Sequence, residues 1–315
     1  MNNKYEYRFS VFTATFNRGK KLYNVYEDLL SQTYKDFEWV IVNDGSSDDT
    51  DEIAKAIIAE NKLKIQYIKK PNGGKHTAWK VATDIFRGKY VVGADDDDRI
   101  TPDFLEVFNR HWSNIEKNNE YDQFWEVRAR CIYENGNLMG KKLPEPWYDS
   151  DYNSINYKDK FYGKEMVGCR KIEVLKEEAS VPDTFIFDDK VSNFPEVIRW
   201  SRAARKYKTR FSPEVVRIYY SSAGGLSSGN KSNSGPNRNM RTTYNTLVGQ
   251  YYTLLEQRDL MLKYSLKSYA RNLIGLAYAS LCTKEKIPTT GFLKLEKILF
   301  PIIKGLIYPL YLIRK

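Results

Sequence analysis

The sequence contains few of the residues that build disulfides and histidine-based sites. Its 315 residues include three widely spaced cysteines and two histidines, His76 and His111. An odd number of scattered cysteines fits neither a disulfide framework nor a zinc cluster, and it is typical of a reducing compartment. Two isolated histidines also exclude the paired-histidine helix of the zinc proteases.

Long apolar segments are lacking as well. The first six residues have no apolar run behind their charges, so we expect no signal peptide and a cytoplasmic location. The longest uninterrupted apolar run, residues 305–313, has nine residues. A bilayer-spanning helix needs roughly 20.

The glycine motifs of several enzyme classes are missing or incomplete. No Gly-x-Gly-x-x-Gly follows the first predicted strand, so a Rossmann dinucleotide site is not expected. Residues 73–77, Gly-Gly-Lys-His-Thr, lack the upstream glycine of a Walker loop. Residues 225–229 match the serine-hydrolase elbow, but no histidine follows them to complete a triad.

Positive charge is concentrated in the last third of the chain. The formal net charge is +10, and residues 199–315 hold 21 Lys and Arg against 5 Asp and Glu. Such an excess attracts nucleic acid, anionic lipid or a phosphorylated ligand, and charge alone does not choose among them.

The remaining composition is that of a soluble globular protein, with 42% hydrophobic and 29% charged residues. Short apolar runs alternate with helical patterns in the first hundred residues, which predicts an α/β fold with a mostly parallel sheet flanked by helices. The predicted strands are 9–14, 37–42, 63–68 and 90–94. Ligands bind beyond the carboxyl ends of such strands, which here lead into loops 15–19, 43–48 and 95–101.

The periodicity weakens beyond residue 120. We predict a strand at 125–133, then irregular loops, a helix at 195–207 and a strand at 210–220. Residues 221–239 are rich in Ser, Gly and Asn, which is typical of a loop or linker. The pattern from residue 240 onward is helical.

Four consecutive carboxylates, Asp95 to Asp98, are the strongest single feature. Crowded acids repel one another unless a cation or a donor offsets them, so they predict a divalent metal, Mn²⁺ or Mg²⁺. A calcium loop of the EF-hand kind is excluded, because Arg99 and Ile100 stand where a ligand and a glycine are required. The alternative is a solvated acidic turn before a helix that starts near Pro102.

With these residues in place, the chain resembles the family-two glycosyltransferases, which carry the GT-A nucleotide-sugar fold and invert the anomeric centre. The likeness is specific across residues 9–110, weaker across 160–227 and absent from the tail. The segments that carry it are 14–18 (Ala-Thr-Phe-Asn-Arg), 31–38 (Ser-Gln-Thr-Tyr-Lys-Asp-Phe-Glu), 43–46 (Asn-Asp-Gly-Ser), 88–91 (Gly-Lys-Tyr-Val) and the aspartates running into Pro102-Asp103.

The resemblance implies a donor site at these loops. Asp97 would be the principal metal ligand of a D-x-D motif, with Asp95 beside it. Thr15, Phe16 and Arg18 would border the nucleotide base and the ribose. Asp44 would hydrogen-bond the nucleotide base, and Asp95 and Asp96 would lie near the ribose and the metal.

The sequence departs from the family pattern at several positions. Ala14 replaces the commoner proline, Asn43 replaces an aspartate, and Trp79-Lys80 stands where many members have Arg-Asn. Because the last change removes the usual phosphate contacts, Lys75 and His76 are our candidates to replace them.

The catalytic base is expected in the second half. Phe194-Pro195-Glu196, followed by residues 200–207, resembles the family segment that carries the base, and Glu196 occupies the position usually held by aspartate. Asp188 and Asp189 are the nearest rivals. A glutamate that merely stabilises its own helix N-terminus is the alternative.

We therefore expect a metal-dependent inverting glycosyltransferase that moves a sugar from a nucleotide diphosphate donor, by resemblance a UDP-sugar, to a glycan or lipid-linked glycan in surface polysaccharide synthesis. No nucleic-acid partner is expected. A sugar nucleotidyltransferase and a non-enzymatic protein that binds anionic lipid or nucleic acid are the alternatives. The expected organisation is a catalytic domain at 1–228 (nucleotide-sugar half 1–110, acceptor half 111–228), a linker at 229–239 and a helical region at 240–315.

The tail suggests a location. Residues 292–313 are mainly apolar, and Lys294, Lys297 and Lys304 fall on one helical face. That pattern predicts a helix in a membrane interface, so we expect peripheral binding to the anionic inner face of the cell membrane. The alternative is a helix docked on the catalytic domain or on a second copy.

Overall fold

The computed structural model describes residues 4–155, 165–178, 180, 182–220 and 240–313. The chain divides into two compact units: Met1–Ser180 with Ala203–Ser222, and Val181–Arg202 with Ala223–Lys315. The predicted linker 229–239 and the motif at 225–229 lie outside the described residues. The domain boundaries expected from the sequence stay predictions.

The first unit begins with the predicted alternation of strands and helices. Its elements are β1 (Tyr7–Thr15), α1 (Gly19–Leu30), β2 (Phe37–Asn43), α2 (Thr50–Ala59), β3 (Ile65–Lys69), α3 (Lys75–Ile85), β4 (Gly88–Gly93), β5 (Arg99–Ile100), α4 (Phe104–Lys117), β6 (Phe124–Tyr133), β7 (Tyr148–Ser150), α5 (Tyr152–Ser154), β8 (Met166–Lys171), α6 (Ile172–Glu177) and β9 (Lys208–Tyr219).

Nine strands of the described residues form one sheet in the order β3-β2-β1-β4-β8-β6-β9-β5, with β7 paired to β9. The first four strands are parallel, and β8 joins them antiparallel through β4. Strand β2 is buried along its whole length, as expected of a central parallel strand covered on both faces.

Aromatic side chains form much of the core of this unit. The rings of Tyr90 and Trp112 stack at 4.2 Å, which joins β4 to α4. Phe12 of β1 meets Trp79 of α3 at 4.2 Å. Neighbouring residues of a strand point to opposite faces of the sheet. Val11 packs in the cluster formed with α1 and α4, whereas Phe12 contacts α3 on the other face. Helices therefore cover both faces of the sheet.

The region beyond residue 120 contains more regular structure than the sequence predicts. Strands β7 and β8 and helix α6 lie where irregular loops are expected. Strand β8 is short and carries Arg170 and Lys171. It is nevertheless buried, because it pairs antiparallel with both β4 and β6. Such long-range pairing leaves little trace in local periodicity.

The second unit is helical in its described residues. It contains α7 (Glu196–Ala203), α8 (Met240–Tyr264), α9 (Leu266–Thr283) and α10 (Lys294–Ile313). Its core includes Phe194, Leu247, Leu276 and Phe300. The helix predicted at 195–207 is observed as α7, which ends four residues earlier than predicted, where a turn leads into β9.

Candidate active site

Three loops meet at one edge of the sheet, which we call the rim: residues 15–19 after β1, 43–48 after β2 and 95–98 after β4. Parallel pairing places Thr15 beside Asn43 and Phe12 beside Gly93, so β1 and β2 end together and β4 ends slightly earlier at the same edge. The Thr13 hydroxyl donates to the Ala94 carbonyl at 2.7 Å and fixes the start of the third loop. The rim is thus a direct product of strand register.

The four consecutive aspartates, Asp95–Asp98, form the acid run of the rim. Arg18 Nη1 lies 2.7 Å from Asp96 Oδ1 and 3.0 Å from Asp97 Oδ2. Lys75 Nζ lies 2.6 Å from Asp95 Oδ1. The acid run is therefore paired with one basic side chain just before α1 and one at the start of α3.

A third basic side chain, Arg217 of β9, closes the acid run from the other side. Its Nη1 lies 3.4 Å from Asp95 Oδ2 and 3.3 Å from Asp98 Oδ2. Its Nη2 lies 2.7 Å from Glu165 Oε1. Arg18, Lys75 and Arg217 thus offset part of the negative charge of the acid run without a metal, and the expected divalent ion stays a prediction.

Burial and these ion pairs shift the carboxyl groups differently. Burial would raise the pKa of Asp95, but the charges of Lys75 and Arg217 outweigh it and the pKa is lowered. Burial raises the pKa of Asp96 despite Arg18. Burial also raises the pKa of Asp98 to about 7, although Arg217 opposes the shift. The acid run is therefore not four equivalent carboxylates.

A divalent ion fits this arrangement only if waters and substrate phosphates complete its coordination. Among the described residues, no group of three or more His, Cys, Asp or Glu side chains is placed to hold a metal ion. Mg²⁺ and Mn²⁺ sites commonly use one or two carboxylates and complete their coordination with waters and substrate phosphates. Asp97 and Asp95 each keep 25% of their side-chain area exposed, so they can supply such ligands.

The first loop combines a buried and an exposed side chain. Thr15 is 2% exposed at the end of β1, whereas Phe16 is 46% exposed. Asn17 adopts a left-handed backbone, and its Oδ1 accepts from the Ser47 amide at 2.8 Å. The Asn17 amide donates to Ser46 Oγ at 2.9 Å, so the first two loops of the rim are joined.

Asp44 organises the segment that leads into α3. It is 4% exposed, and its carboxylate accepts from the amides of Gly73 and Gly74 at 3.0 and 2.7 Å. Lys70 Nζ lies 2.5 Å from the same carboxylate. By resemblance, Asp44 contacts the nucleotide base, and that role stays a prediction. In the structure its carboxylate also fixes the position of residues 70–74.

The two candidates for phosphate contacts lie in different surroundings. Both begin α3, but Lys75 pairs with Asp95 at the rim whereas His76 is 4% exposed. The structure therefore brings Thr15, Phe16, Arg18, Asp44 and Lys75 to the rim with the acid run, and it buries His76 in the first turn of α3.

The candidates for the catalytic base all belong to the second unit. Glu196 is the first residue of α7, keeps 39% of its side-chain area exposed and lies 3.4 Å from Arg199 Nη2. Asp188 and Asp189 are exposed in a single 3₁₀ turn at 188–190. The choice among the three stays a prediction.

Sequence reasoning missed Arg217 and Lys70. Arg217 is 4% exposed within a predicted strand, and an arginine inside a buried strand needs a carboxylate partner. An arginine within a predicted strand was therefore the signal that the sequence offered for this residue. Lys70 precedes Pro71 and two glycines and gave only a turn signal.

Comparison with known proteins agrees with this geometry. The sequence model of Glycosyl transferase family 2 matches residues 10–177, more than half of the chain. A Methanocaldococcus jannaschii protein, uncharacterized glycosyltransferase MJ1057, is 27% identical over 215 residues, or 67% of this chain and 69% of the relative. Escherichia coli YibD, an uncharacterized glycosyltransferase, is 34% identical over 100 residues, or 32% of this chain and 29% of the relative.

A third relative shows how partial some of these matches are. Streptococcus pneumoniae glycosyltransferase GlyA is 29% identical over 147 residues, which cover 45% of this chain and 20% of GlyA. The chain thus spans about a fifth of GlyA and less than a third of YibD.

Solved structures share the fold. Residues 1–349 of Staphylococcus aureus TarS, in complex with UDP-GlcNAc, align with a TM-score of 0.58 at 18% identity, covering 95% of this chain and 80% of that one. The Pyrobaculum calidifontis mannosyltransferase PcManGT, in complex with GDP-Man and Mn²⁺, aligns with a TM-score of 0.53 at 16% identity, covering 96% and 87%. The expected GT-A-type α/β fold with a helical C-terminal region is confirmed. Because the family model matches more than half of the chain, including the loops that form the rim, the chain belongs to glycosyl transferase family 2.

Proposed function

We propose that this chain transfers a sugar, with inversion, from a nucleotide diphosphate donor to a glycan or lipid-linked glycan acceptor. The donor is a UDP-sugar, and the reaction serves surface polysaccharide synthesis at an anionic membrane surface. The observation that carries the proposal is the rim, where an acid run and three basic side chains converge on the carboxyl ends of three parallel strands.

The charges of the rim suit a diphosphate. Arg18 and Lys75 are 27% and 29% exposed, so each can reach a bound anion while it remains near its aspartate. Asp97, with Asp95, would hold Mn²⁺ or Mg²⁺ together with donor phosphates. When bound, that ion would offset the negative charge that develops on the departing diphosphate.

The remaining task is to remove a proton from the acceptor hydroxyl. We assign it to Glu196, whose carboxylate is partly exposed at the start of α7. Asp188 and Asp189 are the alternatives.

The comparisons support the substrate classes without identifying them. TarS is in complex with UDP-GlcNAc, and PcManGT with GDP-Man and Mn²⁺. A chondroitin synthase and a hyaluronan synthase of Pasteurella multocida are each 32% identical over 98 residues, which cover 10% of those proteins. These names favour a nucleotide-sugar donor and a polysaccharide product.

A hydrolysis assay tests the proposal. The purified chain would be incubated with UDP- and GDP-sugars, with and without Mn²⁺, and then with candidate acceptors. We expect metal-dependent release of a nucleoside diphosphate that accelerates with the right acceptor. Formation of a nucleotide sugar from a sugar phosphate and a nucleoside triphosphate would instead identify a nucleotidyltransferase. Absence of both reactions across the panel would contradict the proposal.

A further inference from the structure

Helix α10 presents an unusual concentration of exposed apolar side chains. Within its 20 residues, Leu295 is 58% exposed, Ile298 60%, Ile302 52% and Leu306 73%. The other large hydrophobic residues of the helix that are at least two-fifths exposed are Tyr308, Leu310, Leu312 and Ile313. Soluble surfaces rarely leave such a continuous patch uncovered.

Four of these exposed residues form one stripe along the helix. Leu295, Ile298, Ile302 and Leu306 follow one another at three- and four-residue steps, which places them on one face. The opposite face carries Phe300, which belongs to the core of the second unit. The helix is therefore docked on its own unit by one side and still has an uncovered apolar side.

A buried ion pair anchors the docked side. Glu296 is fully buried and accepts from the Tyr269 hydroxyl at 2.9 Å and from the Leu293 amide at 2.8 Å. Arg258 Nε lies 3.2 Å from the same carboxylate. Because this pair defines which side of α10 faces inward, the apolar stripe cannot turn inward without leaving Glu296 unpaired.

The exposed charges of described residues 243–313 are almost entirely positive. Three acidic side chains of this stretch pair within the second unit: Glu256 with Arg202, Glu285 with Lys190 and Glu296 with Arg258. Asp259 is the one exposed acid among described residues 243–313. The exposed basic residues of that stretch are Lys263, Lys267, Arg271, Lys284, Lys286, Lys294 and Lys297.

We infer that α10 lies in the surface of an anionic bilayer, with the apolar stripe inserted and the exposed lysines near the headgroups. No helix among the described residues has the length and hydropathy needed to cross a membrane. An apolar stripe in a basic setting is the pattern of an interfacial helix, which lies along the bilayer. This inference names the element that contacts the membrane of the proposed function, and its test does not depend on sugar transfer.

Vesicle flotation of the full chain tests the inference. Vesicles of phosphatidylcholine with about one-third phosphatidylglycerol would be compared with pure phosphatidylcholine. We expect the chain to float with the anionic vesicles and to remain largely behind with the neutral ones. Failure to float with the anionic vesicles would overturn the inference, whatever the transferase assay shows.

Two variants separate the apolar and electrostatic contributions. Ile298→Gln with Ile302→Gln and Leu306→Gln should lower the partition coefficient at least tenfold, whereas Ile58→Gln with Leu138→Gln, exposed in the first unit, should not. Lys294→Gln with Lys297→Gln should lower it by about fivefold per lysine, and Lys64→Gln with Lys117→Gln much less.

The triple glutamine variant also tests whether a second copy of the chain, rather than a membrane, covers the stripe. Light scattering would give the mass of the full chain and of the triple glutamine variant. A dimer that the triple variant dissociates, with flotation unchanged, would overturn the inference in favour of self-association.

Discussion

At the scale of single residues, the rim is a balanced set of charges. Arg18 is shared by two carboxylates of the acid run, and Arg217 by two others. A change at one charged residue therefore alters the surroundings of several neighbours. The most informative substitutions are those at the more exposed carboxylates, where loss of function can be separated from loss of folding.

Asp97→Asn should abolish the tightening of UDP binding by Mn²⁺. The substitution keeps the size of the side chain and removes the charged ligand that we assign to the ion. Calorimetric titration with UDP, with and without Mn²⁺, should show at least a tenfold metal effect in the parent chain and none in the variant. Asp103→Asn, exposed just after the acid run, is the control and should behave like the parent. An unchanged metal effect in Asp97→Asn would remove Asp97 from this role.

Glu196→Gln should lower the rate of sugar transfer by about 10²–10⁴ while UDP binding is preserved, because a positioned base is typically worth that much. Steady-state rates and UDP titration on the same preparation measure the two effects. Asp188→Asn and Asp189→Asn serve as comparisons. A large loss in one of them, with Glu196→Gln fully active, would transfer the role.

At the scale of elements, the sequence predicted the first half closely and the second half incompletely. The predicted strand 37–42 corresponds to Phe37–Asn43, and the predicted strand 90–94 to Gly88–Gly93. Their continuous apolar runs are bounded by turn residues, which is a local signal. Strand β8 depends on pairing with β4 and β6, so it could not be located from neighbouring residues. Arg217 lies within a predicted strand, but its carboxylate partners are distant in the chain, so its pairing could not be predicted from local sequence.

Gly45→Ala should be considerably more destabilising than Gly136→Ala, although both glycines have a φ near +80°. A Cβ at Gly45 would lie 2.6 Å from the backbone nitrogen of Asn72, whereas one at Gly136 would meet nothing within 4 Å. We expect a loss of about 1–2 kcal/mol in unfolding free energy at Gly136 and about 2–4 kcal/mol at Gly45. Urea denaturation measures both values. Equal losses would show that Asn72 gives way easily.

At the scale of the whole molecule, the predictions for the two units rest on different kinds of observation. The family match falls entirely on the first unit, residues 10–177, and the candidate base and the interfacial helix belong to the second. The fold and the rim could be anticipated because their signals are local and repeated. Roles in the second unit rest on single residues and on a surface pattern.

Acid should reveal an ion-pair network that supports the first unit. Burial alone would raise the pKa of Glu116, but hydrogen bonds from Arg8, Lys89 and Tyr90 outweigh it and lower the pKa to about 2. The folded state then binds fewer protons than the unfolded state between about pH 4.5 and pH 2, so this stabilisation is complete above that window and is lost as the pH falls through it.

Glu116→Gln removes the titrating group and tests this sign. At pH 7 the variant should unfold with about 1–2 kcal/mol less free energy, a value reduced for partial solvent exposure. The difference from the parent should shrink steadily as the pH falls below 4.5. Thermal denaturation across pH 3–7 measures it, with Glu134→Gln, exposed after β6, as the matched control. A constant difference across the range would contradict the expected titration.

The position of Arg217 in the chain has a practical consequence. A truncated protein that stopped at residue 177, where the family match ends, would retain Asp95 and Asp98 but lose the guanidinium that lies against both. Any minimal fragment designed for crystallisation must therefore extend through β9. During synthesis on the ribosome, this corner of the sheet can be completed only after that late strand has emerged.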